Sequence, residues 1–273
     1  MIRLFKLFKK KEIIESETDK GLYKDNNEDS KTTLLHPLSN EIKLLAVADG
    51  VGGNAKGEVA SNFVIKELEK WFISEDLKTF NSSMLLSKKL YNIIQKINKE
   101  LYDTEFNKSK CGTTLTCAVV GFKTTIIANI GDSRAYAVTN DDIKQLTKDD
   151  SIVWEYYEHG EITKDEIRFH IFNNIITKCI GHHEDCKPTI LKVNNDSYTG
   201  LLLVTDGVTD CLSDEKIKFL VVKKHHRNIV KQIINEAVYQ QQRNIIREDL
   251  LLQDVPNGKD NATAVLYLKP KYN

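Results

Sequence analysis

The chain has 273 residues, 41% of them hydrophobic and 29% charged, the proportions of a globular protein able to bury a sizeable core. Its 39 Lys and Arg balance 39 Asp and Glu, so net charge argues against a nucleic-acid partner. The five cysteines are odd in number and form no Cys-x-x-Cys pair, which excludes a disulfide scaffold and suits a reducing cytoplasm.

Residues 1–11, M-I-R-L-F-K-L-F-K-K-K, form a basic amphipathic extension. It is too short to span a bilayer and lacks the cleavage site of a signal peptide. Contact with an anionic membrane surface is one reading; an extra edge strand or a Lys-rich tail is the preferred one. Nothing further on marks a linker, so residues 12–273 read as a single domain.

Residues 11–18 predict a strand. Then comes an acidic loop, D-K-G-L-Y-K-D-N-N-E-D-S over 19–30, with Lys24 close to Glu28 and Asp29. A strand over 42–48 follows, apolar on both faces from Leu44 to Ala48 and therefore interior. It ends at Asp49. Gly50, Gly52, Gly53 and Gly57 then allow close backbone approach to a ligand, and the helix that begins at Gly57 points its positive end back at the same place. Apolar spacing predicts helices over 57–73 and 82–106, an antiparallel pair laid over a sheet.

Thr- and Val-rich runs over 112–122 and 124–130 predict a hairpin that closes on Gly131 and Asp132. Residues 134–139 and 143–146 predict another. Strand signals fade over 147–181, where a helix, a glycine turn and a short helix from Thr163 suggest an inserted flap. The H-H-E-D-C run at 182–186 matches no zinc spacing and reads as a loop. Residues 199–210, T-G-L-L-L-V-T-D-G-V-T-D, repeat the theme of an apolar strand ending in Asp-Gly, with Asp206 and Asp210 one helical turn apart. Helices are predicted over 213–222 and 229–241. Residues 243–257 fit no pattern, and a last strand follows Asp260.

Asp49, Asp132, Asp206 and Asp260 thus all sit at one end of an apolar β run, although aspartate is disfavoured in strands. Carboxylates gathered this way repel one another unless a cation holds them. An all-oxygen site selects a hard ion, Mg²⁺ or Mn²⁺. Two such ions about 4 Å apart share a water, and the resulting metal-bridged hydroxide attacks phosphorus in line.

The ordered motifs carry a family resemblance that spans nearly the whole chain. They are D-x-G-x-x-[RK]-x-x-N-E-D at 19–29, A-D-G-x-G-G at 48–53, G-T-T at 112–114, G-D-S-R at 131–134, T-x-D-x-S at 147–151, T-D-G-x-x-D at 205–210 and D-N-x-T at 260–263. The chain resembles the bacterial type-2C (PPM) metal-dependent Ser/Thr protein phosphatases.

That resemblance implies an α+β fold: a four-layer α-β-β-α sandwich of two antiparallel sheets flanked by helices, with residues 147–181 as the flap. It implies hydrolysis of phosphoserine and phosphothreonine in proteins, in opposition to a bacterial Ser/Thr kinase. Asp49, Asp206 and Asp260 would be catalytic through two Mn²⁺ or Mg²⁺ ions. Asp49 would bridge them, Gly50 would bind through its carbonyl, Glu28 would stand beside it, and Asp29 would lie in the outer shell. Asp132 and Asp210, with Asp149 within reach, correspond to a third, weaker ion.

Departures are specific. Lys24 stands where the family usually has an Arg that grips the substrate phosphate, keeping the charge but losing the bidentate fork. Val51 and Asn54 stand where many members carry His, so leaving-group protonation would fall to a metal-bound water. Two alternatives remain from the residues: a metal-binding pseudophosphatase acting as a regulatory module, and a phosphatase dedicated to one signalling partner.

Overall fold

Side chains alternate along β3 (Ser39–Val51). Leu45 and Val47 turn to one side, Leu44, Ala46 and Ala48 to the other, and all are buried. A strand buried on both faces needs a layer on each side, and the computed structural model supplies both. It describes residues 11–52, 56–104, 111–223, 228–249 and 258–270.

One antiparallel sheet runs in the order β1 (Ile13–Asp19), β11 (Ala262–Leu268), β10 (Gly200–Val204), β7 (Arg134–Val138), β8 (Ile143–Gln145). The other runs β2 (Asp29–His36), β3, β5 (Leu115–Val120), β6 (Thr124–Ile130), β9 (Thr189–Asn194), with β4 (Gly112–Thr113) beside the end of β3. Leu45, Val47 and Ile127 meet Leu201, Leu203 and Val265 between the sheets. Helices α1 (Gly57–Ser74) and α3 (Ser83–Asp103) cover the outer face of the second sheet through Val64, Leu68, Leu90 and Ile94. Across the molecule, α6 (Asp214–Lys218) and α7 (Ile229–Asp249) cover the first through Ile217, Val230 and Ile233. The expected α-β-β-α sandwich is therefore observed.

Several local expectations need correction. The helix expected over 82–106 is present as α3, but a separate short helix that was not expected, α2 (Leu77–Asn81), precedes it, because Asp76 and Ser82 each cap a new N-terminus with a side-chain oxygen. Strands β2 and β9 were not expected. The helix expected to end at Gln241 continues to Asp249, and the one expected over 213–222 gives way after Lys218 to a π-helical turn, Phe219–Lys223. Residues 182–186 form a loop as expected, held where Asn98 donates to the carbonyls of His183 and Glu184, both at 2.9 Å. The N-terminal tail over 1–10, Gly53, Asn54 and residues 250–257 lie outside the described residues. Among the described residues no helix is long and apolar enough to cross a membrane.

Candidate metal centre

Strand register brings the aspartates to one end of the molecule. In the first sheet, Asp19 pairs with Ala262, and Val204 pairs with both Ala264 and Arg134. Asp260, Asp206 and Asp132 each lie two residues beyond such a strand end, Asp206 opening the short helix α5 (Asp206–Thr209). In the second sheet Asp29 lies directly opposite Asp49, and Leu115 pairs with Ile130, just before Gly131 and Asp132. Gly131 makes the turn at φ +96, where a Cβ would also meet Thr114 Cγ2 at 2.6 Å.

The backbone around Asp49 is held by hydroxyl groups. Asp49 N–H donates to Thr114 Oγ1 at 2.9 Å, and Thr113 Oγ1 donates to the Asp49 carbonyl at 2.8 Å. Gly50 packs against Gly57 at the start of α1 so closely that a Cβ on Gly50 would lie 2.3 Å from the Gly57 carbonyl. This approach sets Glu28 against the helix start, with Gly50 N–H donating to the Glu28 carbonyl at 3.1 Å.

The acidic loop is fastened to β11 by two amides. Asn261 accepts from Glu28 N–H at 2.8 Å and donates to the carbonyls of Lys20 and Asn26 at 2.8 and 3.0 Å. Gln241 of α7 accepts from Leu22 N–H at 2.9 Å and donates to the Asp260 carbonyl at 2.7 Å. No role had been expected for either. Asn261 lay inside a recognised motif; Gln241 had no signal, being one of three consecutive glutamines in a helix.

The carboxylates are short of partners. Asp29 accepts from Thr205 Oγ1 at 2.8 Å through one oxygen, while its other oxygen, Asp132 Oδ1 and Asp206 Oδ1 are buried without a hydrogen bond. Burial and neighbouring negative charge raise Asp29, Asp49, Asp132 and Asp210 well above the ordinary carboxylate range. Burial, and then the charge of Asp260, push Asp206 up to about 6. A divalent cation offers what these oxygens lack, and hard carboxylate oxygens are the donors that Mn²⁺ and Mg²⁺ take. The donor set therefore fits such ions, although among the described residues no three acidic, His or Cys side chains are already closed to ligand spacing.

Lys24 and Arg134 both reach this end. Lys24 Nζ lies 2.9 Å from Asp260 Oδ1. Arg134 grips Asp149 with Nε at 2.8 Å and a terminal nitrogen at 2.7 Å from Oδ2, while Gln145 donates to Asp149 Oδ1 at 2.9 Å. Asp149 is thus engaged by protein donors, whereas Asp132 Oδ1 is not. The expected flap carries α4 (Ile152–Glu158) and a 3₁₀ turn, Lys164–Phe169, packed on each other through Val153, Trp154 and Ile167. It meets the acidic end where Asn173 donates to Asp210 Oδ2 at 2.9 Å.

Comparison with known proteins accords with this arrangement. The protein phosphatase 2C family model matches residues 24–246. The serine/threonine phosphatase stp of Listeria innocua is 31% identical over 220 residues, covering 77% of this chain and 83% of that protein. A crystal structure of a bacterial serine phosphatase is similar with TM-score 0.81 at 33% identity, covering 95% of this chain and 98% of that one. The catalytic domain of the serine threonine protein phosphatase PstP, solved in complex with 2 manganese ions, is similar with TM-score 0.73 at 28% identity over 94% of this chain and 97% of that one.

Proposed function

The chain belongs to the protein phosphatase 2C family and is a serine/threonine phosphatase; from this premise we propose that it acts on phosphorylated proteins with Mn²⁺ or Mg²⁺ and that its residues divide the work as follows. Asp49, Asp206 and Asp260, with Glu28 and the Gly50 carbonyl, hold two divalent cations. Asp29 supports Asp49 from the facing strand. Asp132 and Asp210 receive a third, weaker ion, with Asp149 fixed beside them by Arg134. The observation that carries this assignment is the set of buried carboxylate oxygens without a hydrogen bond at one end of both sheets.

When bound, the cations supply a water of lowered pKa and offset the charge of the substrate phosphate. The protein's own groups do the rest. Lys24 Nζ presents a positive charge at the rim, where a phosphate dianion would sit. The amides of Asn261 and Gln241 fix the loop that carries it, so that the backbone bearing the charge is placed before substrate arrives. Asn173 holds the flap against Asp210 and so sets the wall that the peptide passes.

Residues 12–273 are proposed as one catalytic domain with the flap over 147–181, opposing a Ser/Thr kinase in the cytoplasm; five scattered cysteines with no Cys-x-x-Cys pair suit that compartment. The experiment is metal titration of the stripped protein with a phosphothreonine peptide. Phosphate release that is absent in EDTA and restored by Mn²⁺, with two ions bound in calorimetry, supports the assignment. Release that is insensitive to EDTA overturns it.

A further inference from the structure

Lys24 occupies the position read as the phosphate grip, yet its ammonium is spent on a carboxylate. Nζ lies 2.9 Å from Asp260 Oδ1, an oxygen that also accepts from Asn261 N–H at 2.8 Å. Asp49 and Asp206 stand near enough for their charges to act on the same ammonium. Everything around the pair is fastened: Gln241 joins Leu22 to the Asp260 carbonyl, and Asn261 joins Lys20, Asn26 and Glu28 to the start of β11. The backbones of Lys24 and Asp260 therefore belong to one rigid unit. The lysine stem is the free part, with a side chain 38% exposed. A lysine suits this position because its ammonium is a point charge on a flexible chain, able to exchange one oxygen partner for another.

We infer that Lys24 is a displaceable counter-ion of the metal centre: it neutralises Asp260 until a divalent cation takes that carboxylate, and the ammonium so released then binds the substrate phosphate. This rests on the reading of Asp260 as a metal ligand. It makes metal and substrate binding mutually reinforcing, since each is favoured by the same movement of one side chain. It also gives the metal-free protein a way to hold clustered carboxylates without an ion.

The test uses the full chain stripped of metal, with Mn²⁺ alone as the probe. A partly exposed ion pair of this kind is worth up to about 1 kcal/mol, so Lys24→Gln should bind Mn²⁺ about two- to fivefold more tightly than wild type. In wild type, the Lys24 side-chain ¹⁵N resonance should shift when Mg²⁺ is added, a readout that needs neither a variant nor activity. Unchanged or weaker Mn²⁺ binding by a folded Lys24→Gln protein overturns the inference while leaving the metal assignment in place. A ¹⁵N signal that does not move on saturation with Mg²⁺ does the same. Failure of both proteins to bind Mn²⁺ overturns the inference and the metal assignment together.

Discussion

Asp29 and Asp49 lie directly opposite each other in the β2–β3 ladder, two buried carboxylates on adjacent antiparallel strands. Like charges at such a position are destabilising, and burial adds to the cost. On the proposed assignment this arrangement serves the metal ions, so stability and chemistry oppose each other at this pair.

Asp49→Asn removes one of the opposed charges and retains the shape. In EDTA the variant is expected to gain about 1 kcal/mol, a rise of about 2–4 °C in melting temperature for a chain of this size. In saturating Mn²⁺ it should lack the metal-induced stabilisation expected of wild type. Thermal melts under both conditions check this; a variant less stable than wild type in EDTA would contradict it.

Gly57→Ala places a methyl 2.6 Å from the Gly50 carbonyl oxygen. Two backbones must then separate, at a cost of about 1–3 kcal/mol for overpacking. Because Gly50 and Glu28 are joined at this contact, Mn²⁺ affinity should fall with stability. Urea denaturation and Mn²⁺ calorimetry measure the two effects, and a loss of stability with unchanged affinity would show that the contact does not position the site.

Gln241→Leu leaves the Leu22 amide and the Asp260 carbonyl without their side-chain partner. Burying such groups unpaired costs about 1–3 kcal/mol. The loop bearing Lys24 loosens, so KM for a phosphopeptide should rise by more than kcat falls. Steady-state kinetics separate the two, and an unchanged KM would rule out the loop-fastening role.

Glu75 provides a pH test away from the carboxylate cluster. Burial pushes its carboxyl up, but bonds from Lys89, Thr79 and Trp71 outweigh that and hold it below its ordinary 4.5. Lys89 Nζ is 2.6 Å from Oε2, Thr79 Oγ1 donates to Oε2 at 2.8 Å, and Trp71 Nε1 donates to Oε1 at 2.8 Å. A depressed folded value means that the network stabilises the protein above pH 4.5 and that this contribution is lost as pH falls through the lower folded value. Glu75→Gln should be less stable at neutral pH and should lose less on acidification; parallel pH profiles of the two proteins would contradict this.

Asp49, Asp132 and Asp206 were legible because each ends an apolar run beside a glycine, a pattern that packing alone does not produce, and Asp260 because it stands just before the last apolar run. The sandwich was legible from β3, whose two apolar faces demand two covering layers. Strand β9, T-I-L-K-V-N, escaped because it is an edge strand whose exposure alternates only weakly. Strand β2 escaped because its Asp29 start reads as part of the acidic loop. The long reach of α7 was hidden by Gln240, Gln241 and Gln242, which carry no apolar period, although Gln241 is fully buried. The Lys24–Asp260 pair joins residues from opposite ends of the chain, a juxtaposition made by the pairing of β1 with β11.

The most direct measurement is phosphate release from a phosphothreonine peptide by wild type and Asp206→Asn, each at saturating Mn²⁺. Asp206 lies among Asp49, Asp260 and Asp210, and its neutralisation should lower kcat by at least about 100-fold while the protein stays folded. A folded Asp206→Asn protein that hydrolyses the peptide at the wild-type rate would contradict the assignment of this acidic cluster as the catalytic centre.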